Sequence, residues 1–579
     1  MILQRLVDYA GRTGLGAEES LSLRVVHWRV DLDADGRFLG VVALGREGKR
    51  HGGRQFQLPY TPPALLNGGK ISHFLVDSSQ RALLWLEPDD EVKRRKWETQ
   101  HAYFWSLIEQ CRVEASEPTE RALAAALRAR DAKGEIARRL KSEGAKHTQS
   151  VAFAVADEWL HDMAGIAAFW KSRQSAASKS AVSGLDMTSG DFAANILASH
   201  GTVKGVRGGQ ISGVRLVSND KAAFQSFGLE DARNAPVSAA SEAKYRSALN
   251  ELVRHGKALP GANLCFWTRS GAAFDPWDIV GEASAEAVRA LFDAPATGRP
   301  GAAALDADGF YALALSGVGG RIMVRGWLDT TVGGVKENIK RWFDDISMIA
   351  SDGGIVVREH KLYALLYALA RADDLDALPP QLASDLWDCA VQGVKPSAYI
   401  LRLLLRREAL DRCSGDKIKD AQGRSMRRMA LARLCLRRLG PGEGRDMTVS
   451  LEAGNADPAY VCGRIMAVLD RLQHLASGGV GAGIIERAYG AASVTPSLVF
   501  GRLMRLAQTH LSKLHKTKPG AAVNVEKELE ELATRLGSRW PQSLSLADQG
   551  RFALGFYHQK AEYRRRKEAL EPQETTEAA

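Results

Sequence analysis

The sequence predicts an α+β protein, with an N-terminal mixed α/β region containing β-hairpins followed by a C-terminal helical bundle. Three observations carry this. Short β-rich runs around turn residues fill the first hundred positions. Apolar residues take helical spacing from about residue 332 onward. The 579 residues are 45% hydrophobic and 25% charged, the balance of a folded chain long enough to bury its cores without disulfide staples. The expected domains are an N-terminal α+β domain (1–330), a basic helical region (331–446) and a C-terminal helical bundle (447–579).

In chain order, VVHWRVDLDADGRFLGVVAL (25–44) places two β-rich runs around Asp-Ala-Asp-Gly and predicts a hairpin. HFLVDSSQRALLWL (73–86) predicts a second hairpin, and residues 97–175, rich in Ala, Arg and Glu, predict helices. The Gly/Ser/Asn/Ala-rich stretch 176–240 contains GTVKGVRGGQISGVRLVS (201–218), a glycine-rich segment running into a strand. SEAKYRSALNELVRHG (241–256) predicts a helix with Ser241 as its N-cap. NLCFWTRS (263–270) and FYALALSGVGGRIMVRGWLD (310–329) read as strands, with linker composition at 291–309. Helices follow, interrupted by GPGEG (440–444), and only the tail EPQETTEAA reads as disordered.

The chain holds 78 Lys and Arg against 68 Asp and Glu, a formal charge of +10. Such a surplus favours a polyanionic partner where it is clustered. Residues 391–440 hold 13 Lys/Arg and 4 Asp/Glu, a helical belt that includes Arg402, Arg406, Lys417, Lys419, Arg424, Arg427 and Arg428. Arg502, Arg505, Lys513, Lys516 and Lys518 follow with no acid among them, and KRRK (93–96) and YRRRK (563–567) add two more clusters. A solvated helix face explains any one of these. Several separate patches suit a long polyanion better.

Two loops fit the same chemistry. LLNGGKISHF (65–74) offers Asn67, Gly68, Gly69, Lys70, Ser72 and His73 at one tip, where glycines allow close approach and Asn and Lys can reach base edges or phosphates. In GTVKGVRGGQISG, Lys204, Arg207 and Gln210 alternate with glycines and can grip a phosphate. The plainer readings are an ordinary turn and a mobile surface loop.

No catalytic motif stands out, so no catalytic residue, cofactor or metal site is expected. GGKIS (68–72) has Ile71 where a phosphate-binding loop needs Ser or Thr. The adjacent acids Asp344–Asp345 and Asp373–Asp374 read as solvated helix ends. The six cysteines form no C-x-x-C pair, which signals neither zinc nor disulfides and suits a reducing cytoplasm. No apolar run approaches the ~20 residues of a membrane span.

Several stretches in order carry a resemblance: KGVRGGQISGVRLVSNDKAAFQSFG (204–228), NAPVSAASEAKYRSALN (234–250), LALSGVGGRIMVRGW (313–327), NADPAYVCGRIMAVLDRLQHLA (455–476), YGAASVTPSLVFGRLMRLAQTHL (489–511) and LADQGRFALGFYHQ (546–559). Over nearly its whole length the chain resembles the large subunit of the type I-C CRISPR Cascade, a DNA-surveillance complex. The resemblance implies a non-catalytic protein that reads a protospacer-adjacent motif in double-stranded DNA. Such a subunit aids duplex opening and R-loop formation, holds the displaced strand and docks a recruited helicase-nuclease. The implied partners are guide CRISPR RNA, target double-stranded DNA, the backbone subunits, the guide 5′-end subunit and the small subunits, with no membrane. The family's motif-reading segment falls on LLNGGKISHF, hence on Asn67, Gly68, Gly69 and Lys70, then Ser72 and His73. The resemblance also implies a small subunit made from an internal start, for which Met447, just after GPGEG, is the best placed methionine. The chain departs from the family at GLDMTSGDF (184–192), which lacks a Cys that relatives often carry, and in the order of its Gly/Ile/Lys run. Two other classes remain as readings of the residues: a metal-dependent nuclease and a general RNA-binding scaffold.

Overall fold

A computed structural model describes residues 2–16, 21–45, 52–61, 66, 69–87, 91–177, 182–219, 221–225, 227–293, 302–371, 373–414, 420–439, 447–478 and 483–568. The chain is α+β, with small sheets in its N-terminal half and helices in its C-terminal half. It divides into two compact units, Met1–Gly256 with Leu315–Met323, and Lys257–Ala314 with Val324–Ala579. Composition puts limits at 330 and 446, whereas packing divides the chain after Gly256 and within one hairpin.

In the first unit, the strands in chain order are β1 (Leu21–Val26), β2 (Trp28–Leu32), β3 (Phe38–Ala43), β4 (Arg54–Pro59), β5 (Val76–Ser78), β6 (Ser150–Val155) and β7 (Glu158–Trp159). One sheet has the order β3–β2–β6–β5, with β7 paired to β6. β2 and β3 form the hairpin expected at 25–44, antiparallel from Trp28 opposite Ala43, with Gly36 at φ +85° in the turn. β6 runs parallel to β2. It lies inside the region expected to be helical. Its buried run from Val151 to Val155 is apolar on both faces, and periodicity alone cannot separate such a strand from a buried helix.

The hairpin expected at 73–86 does not form. Three residues of β5 pair with the distant β6, and a single helical turn follows at Ser79–Ala82. Asp77 accepts hydrogen bonds from the backbone of His73 and Ser78, and the Ser79 N–H donates to Gln149 O. Those bonds hold the chain to β6 instead of letting it return on itself. The helices Glu91–Glu114, Thr119–Arg128, Lys133–Ser142 and Ile166–Ala177 accompany the sheet, around a core of Trp28, Phe74, Phe104, Trp105 and Phe153.

β1 and β4 make a separate antiparallel ribbon, as do β8 (Val182–Leu185) and β9 (Phe192–Ile196). The helix expected at 241–256 spans Ala239–His255. Its cap is Ser238, whose hydroxyl accepts the Ser241 N–H at 3.2 Å, so the cap lies three residues before the expected one.

β10 (Lys257–Leu259), β11 (Ala262–Thr268), β12 (Gly309–Val318) and β13 (Arg321–Thr331) are adjacent in that order, in agreement with the expected strands; apart from the tip Leu315–Met323 they belong to the second unit. They share a core with the helices Val332–Ile346, Leu362–Leu369, Pro380–Val391, Ala398–Cys413 and Ala421–Arg437, through Trp342, Trp387, Leu404 and Met429. A second core is built by the helices Pro458–Ser477, Ile484–Ala492, Pro496–Thr517, Pro519–Leu536 and Leu546–Glu568. The first and last of these approach closely: a Cβ on Gly463 would lie 2.0 Å from Phe552 O, and one on Gly555 would lie 2.1 Å from Tyr460 O. Among the described residues no helix is long and apolar enough to cross a membrane.

Candidate nucleic-acid interface

A groove of about 1150 Å³ opens on the first unit, and the glycine-rich segment forms one of its walls. That segment contains no regular strand. Val203 bridges Val214, while Gly209 and Arg215 bridge Gly319 and Arg321 at the tip of the β12–β13 hairpin. Gly317 N–H donates to Arg207 O at 2.7 Å, and Arg215 N–H donates to Gly320 O at 2.9 Å. A Cβ on Gly317 would stand 2.3 Å from the Gly209 backbone. Gly208, at φ +75°, would direct its own to 2.7 Å from Gly317 O. KGVRGGQ and SGVGG are therefore two halves of one backbone contact, and the wall they form presents Lys204, Gln210 and Ser212 to the groove.

The floor comes from the β1–β4 ribbon and from the helix Ala239–His255. Ser22 and Arg24, two apart on β1, share a strand face. Tyr60 and Thr61 follow β4, and the helix adds Arg246, Asn250 and Arg254. The Arg246 guanidinium lies 4.2 Å over the Tyr60 ring and donates to Glu242 at 2.9 Å. The same carboxylate accepts the Gly201 N–H at 2.9 Å. The remaining cations are Arg215, Lys221 and Arg321, and the last lies 4.1 Å over Phe224.

Seven cationic side chains thus face a groove lined by one carboxylate, Glu251, which Arg254 already pairs. Lys204, Arg215 and Lys221 have no ion-pair partner among the described residues. Desolvation by the groove wall, and then the Arg24 charge, lowers the pKa of Lys204. Burial pushes Arg24 down to about 10, which leaves it charged at neutral pH. Arg24 Nη2 donates to Val76 O at 2.7 Å, but its Nη1 is buried without a partner. Arg246 Nη2, Ser22 Oγ, Thr61 Oγ1 and His73 Nδ1 are likewise buried and unsatisfied. Each such group costs about 1–3 kcal/mol until an acceptor arrives. Concentrated positive charge with unsatisfied donors on a concave surface is the chemistry of phosphate binding.

The expected motif-reading loop lies beside this groove. Asn67 and Gly68 fall outside the described residues. Gly69 has φ +73° and packs its Cα against Lys96, whose Cε would be 3.0 Å from an added Cβ. Lys70 is exposed, as are Arg94, Arg95 and Lys96, so this tip is basic. Ser72 and His73 differ from expectation. Ser72 is fully buried, and His73, half-buried, anchors the loop by donating its N–H to Asp77 at 2.8 Å. Burial, then Arg24, pushes the His73 pKa down to about 3, so its ring is neutral. These two residues hold the base of the loop; its tip ends at Lys70. Arg207 is exposed but does not line the groove.

The basic belt corrects a second expectation. Lys417 and Lys419 lie outside the described residues. Arg402 and Arg406 are exposed. Arg424 pairs with Asp373, and Arg427 with Asp420 at 2.8 Å. Arg428 is buried, donating to Ala368 O at 2.7 Å, to Glu408 at 3.1 Å and to Asp411 at 2.5 Å. Arg433 binds the carbonyl of Met447, and Arg438 the carbonyls of Cys389 and Val394. Much of the surplus charge is thus balanced by carboxylates and by carbonyls near helix C-termini, which attract cations. By contrast, Arg502, Arg505 and Lys513 are exposed on Pro496–Thr517, on a face that also carries Lys516. Met447 is buried in the helical core.

Asp345, expected on a solvated helix end, is instead buried and held by Arg437 at 3.2 Å and Arg438 at 2.7 Å. Among the described residues no three His, Cys, Asp or Glu side chains group to hold a metal ion. Sequence reading missed Arg24, Tyr60, Arg215, Lys221, Arg246 and Arg321. One signal was present: Glu242 and Arg246, four apart, interrupt an otherwise apolar helix face. The others are joined only by long-range packing.

The family model described as CRISPR-associated protein (Cas_Csd1) matches residues 4–564. Comparison with curated proteins gives no match.

Proposed function

The chain belongs to the Cas_Csd1 family of CRISPR-associated proteins, and from that premise we propose that it is the non-catalytic large subunit of a type I-C Cascade complex. In this reading it works in the cytoplasm with guide CRISPR RNA and the other Cascade subunits. It reads a protospacer-adjacent motif in double-stranded DNA, aids duplex opening, holds the displaced strand and docks a helicase-nuclease. The observation that carries the reading is the groove of the first unit, where seven cations meet one carboxylate beside a basic loop tip. A polyanion relieves that repulsion, and base pairing by the guide supplies the sequence specificity the groove lacks.

The loop tip is the motif reader in this proposal. Asn67→Ala and Lys70→Ala in the assembled complex should weaken binding of a motif-containing duplex about tenfold and leave a pre-opened target nearly unchanged, measured by gel shift. One lost base contact is worth about 1–3 kcal/mol. Equal loss on both substrates would reduce the loop to a source of charge. Cutting of labelled DNA by the purified chain with Mg²⁺ alone would replace the proposal with the nuclease reading. Indifference to the base pairs flanking the target would favour a general RNA-binding scaffold.

A further inference from the structure

The loop segment 69–73 is tied down by a chain of buried polar side chains. Gln100, on the helix Glu91–Glu114, is fully buried. Its Nε2 donates to Ile71 O at 3.1 Å, and its Oε1 accepts from Arg81 Nε at 3.2 Å. Arg81 Nη1 donates in turn to Asp77 Oδ1 at 3.0 Å, and Asp77 Oδ2 accepts the His73 N–H. Three side chains thus run from the carbonyl of Ile71 to the amide of His73. One turn before Gln100, on the same helix face, Lys96 lays its side-chain carbons along Gly69, 3.0–3.3 Å from where a Cβ would stand. Lys70, exposed, lies between the two held points. The helix is itself fixed to the turn that carries Arg81: His101 Nδ1 donates to Arg81 O at 2.8 Å, and Trp105 Nε1 to Ala82 O at 3.1 Å.

Burying an amide is unfavourable unless every group on it finds a partner, and a fully satisfied network specifies one geometry more than it adds stability. Here both ends of the Gln100 amide are engaged on the loop and on the arginine that anchors it. We infer that Gln100 is a positioning residue for motif discrimination. With Lys96 and the Arg81–Asp77 pair it fixes the backbone on both sides of Lys70, so that this side chain meets the base pairs in one register. Telling one base from another needs donors held to within about 0.5 Å, whereas a phosphate contact tolerates a loosely held cation. This inference rests on the motif-reading role proposed above for the loop. It assigns selectivity to a side chain that has no exposed surface of its own.

The test uses the assembled complex and a library of target duplexes randomised in the base pairs flanking the target, with the bound fraction sequenced. A pre-opened target measures affinity without motif reading. Gln100→Glu keeps the size and the acceptor toward Arg81 but, ionised, has no proton for Ile71 O. It should reduce enrichment of the preferred flank about fivefold or more, while binding of the pre-opened target stays within about twofold. Lys70→Ala with Gln100→Glu should discriminate no worse than Lys70→Ala alone, because a residue that acts through another adds nothing once that other is gone. The exposed Lys96 gives a second route should Gln100→Glu fail to fold. Lys96→Met keeps the side-chain carbons over Gly69, Lys96→Ala does not, and both lose the charge. Enrichment should therefore be about threefold or more lower in the alanine variant than in the methionine variant. Losses that add in the double variant, equal loss on both substrates, or alanine and methionine variants that select alike would overturn the inference. If Lys70→Ala leaves the preferred flank unchanged, the motif-reading role of the loop is what fails. If Lys70→Ala abolishes the preference and the Gln100 and Lys96 variants keep it, that role stands and this inference alone fails.

Discussion

Arg428 and Arg402 stand on neighbouring helices of one arginine-rich region and do unlike work. Arg402 is exposed to solvent, whereas Arg428 is enclosed by Glu408, Asp411 and a backbone carbonyl. Burial opposes ionisation of Glu408, but Arg412 and Arg428 outweigh it and lower its pKa. Removing Arg428 leaves Glu408 Oε1 with Arg412 and Ser425 but takes the donor from its buried Oε2. Arg428→Ala should cost about 3–5 kcal/mol of stability in denaturant unfolding, and much of that should return in the Arg428→Met/Glu408→Gln double variant. Arg402→Ala should change stability by less than about 0.5 kcal/mol. If the two single variants melt alike, the structural role assigned to Arg428 is wrong. Histidine gives a second test at this scale. Burial pushes His73 and His558 down to about 3, and His200 and His360 down to about 4. Unfolded histidine takes a proton near pH 6.5, which the folded rings refuse until far lower pH, so the unfolded chain binds more protons in between. Stability is then full above about pH 6.5 and falls as the pH drops, by up to about 1.4 kcal/mol per pH unit for each histidine. Tm should decline between pH 7 and pH 5, although Asp388, which burial raises to about 6, takes up its proton in the folded state over that interval and offsets part of the fall. A flat Tm over that interval would contradict these neutral rings.

At the scale of elements, glycine joins the wall of the groove to the hairpin tip. Gly317→Ala would drive a Cβ to 2.3 Å from the Gly209 backbone, with no flexible side chain to yield. The expected cost is about 1–3 kcal/mol. The amides of Arg215, residue 317 and Ile322, bonded across this contact, should lose hydrogen-exchange protection together, and nucleic-acid binding should fall although no cation is removed. Separate loss of protection would mean that the loop and the tip fold independently. The same contact shows what a sequence can reveal. The glycines at 205–213 and 317–320 were visible as patterns, but their shared purpose was not, because it needs two segments a hundred residues apart to meet. The hairpin at 25–44 was legible because its turn and both strands are contiguous, whereas the misread 73–86 takes its partner from β6. The arginine belt was misjudged because composition counts charges and is blind to the carbonyls and carboxylates that receive them.

At the scale of the whole chain, the remaining question is the product of the internal start proposed at Met447. Among the described residues, the buried side chains of the core of the last five helices, including Met466, Phe500, Leu514, Leu532 and Phe552, all come from Ala459 onward, with half-buried Ala409 packed against them from the earlier helices. A chain beginning at Met447 therefore carries a complete core and should fold alone into a helical bundle. It would lose the neighbours of another face. Met447, Tyr460, Ala553, Leu554 and Tyr557 belong to the core shared with the helices from Val332 to Arg437, and Met447 O accepts from Arg433 at 2.6 Å. A released 447–579 fragment bares that apolar face, and contiguous exposed apolar surface marks an interaction site. The fragment should melt cooperatively by circular dichroism and self-associate or bind partners through this face. Tyr557→Lys should abolish the association without lowering helicity in the fragment. The start itself can be tested inside the intact gene. Met447→Leu conserves volume in the core and should cost the full chain less than about 1.5 kcal/mol, while removing the only candidate codon just after GPGEG. A C-terminal epitope should then report full-length protein at its normal level and no small product. An unchanged small band would move the start elsewhere, and loss of both bands would show that Met447 matters to the fold more than its buried contacts predict.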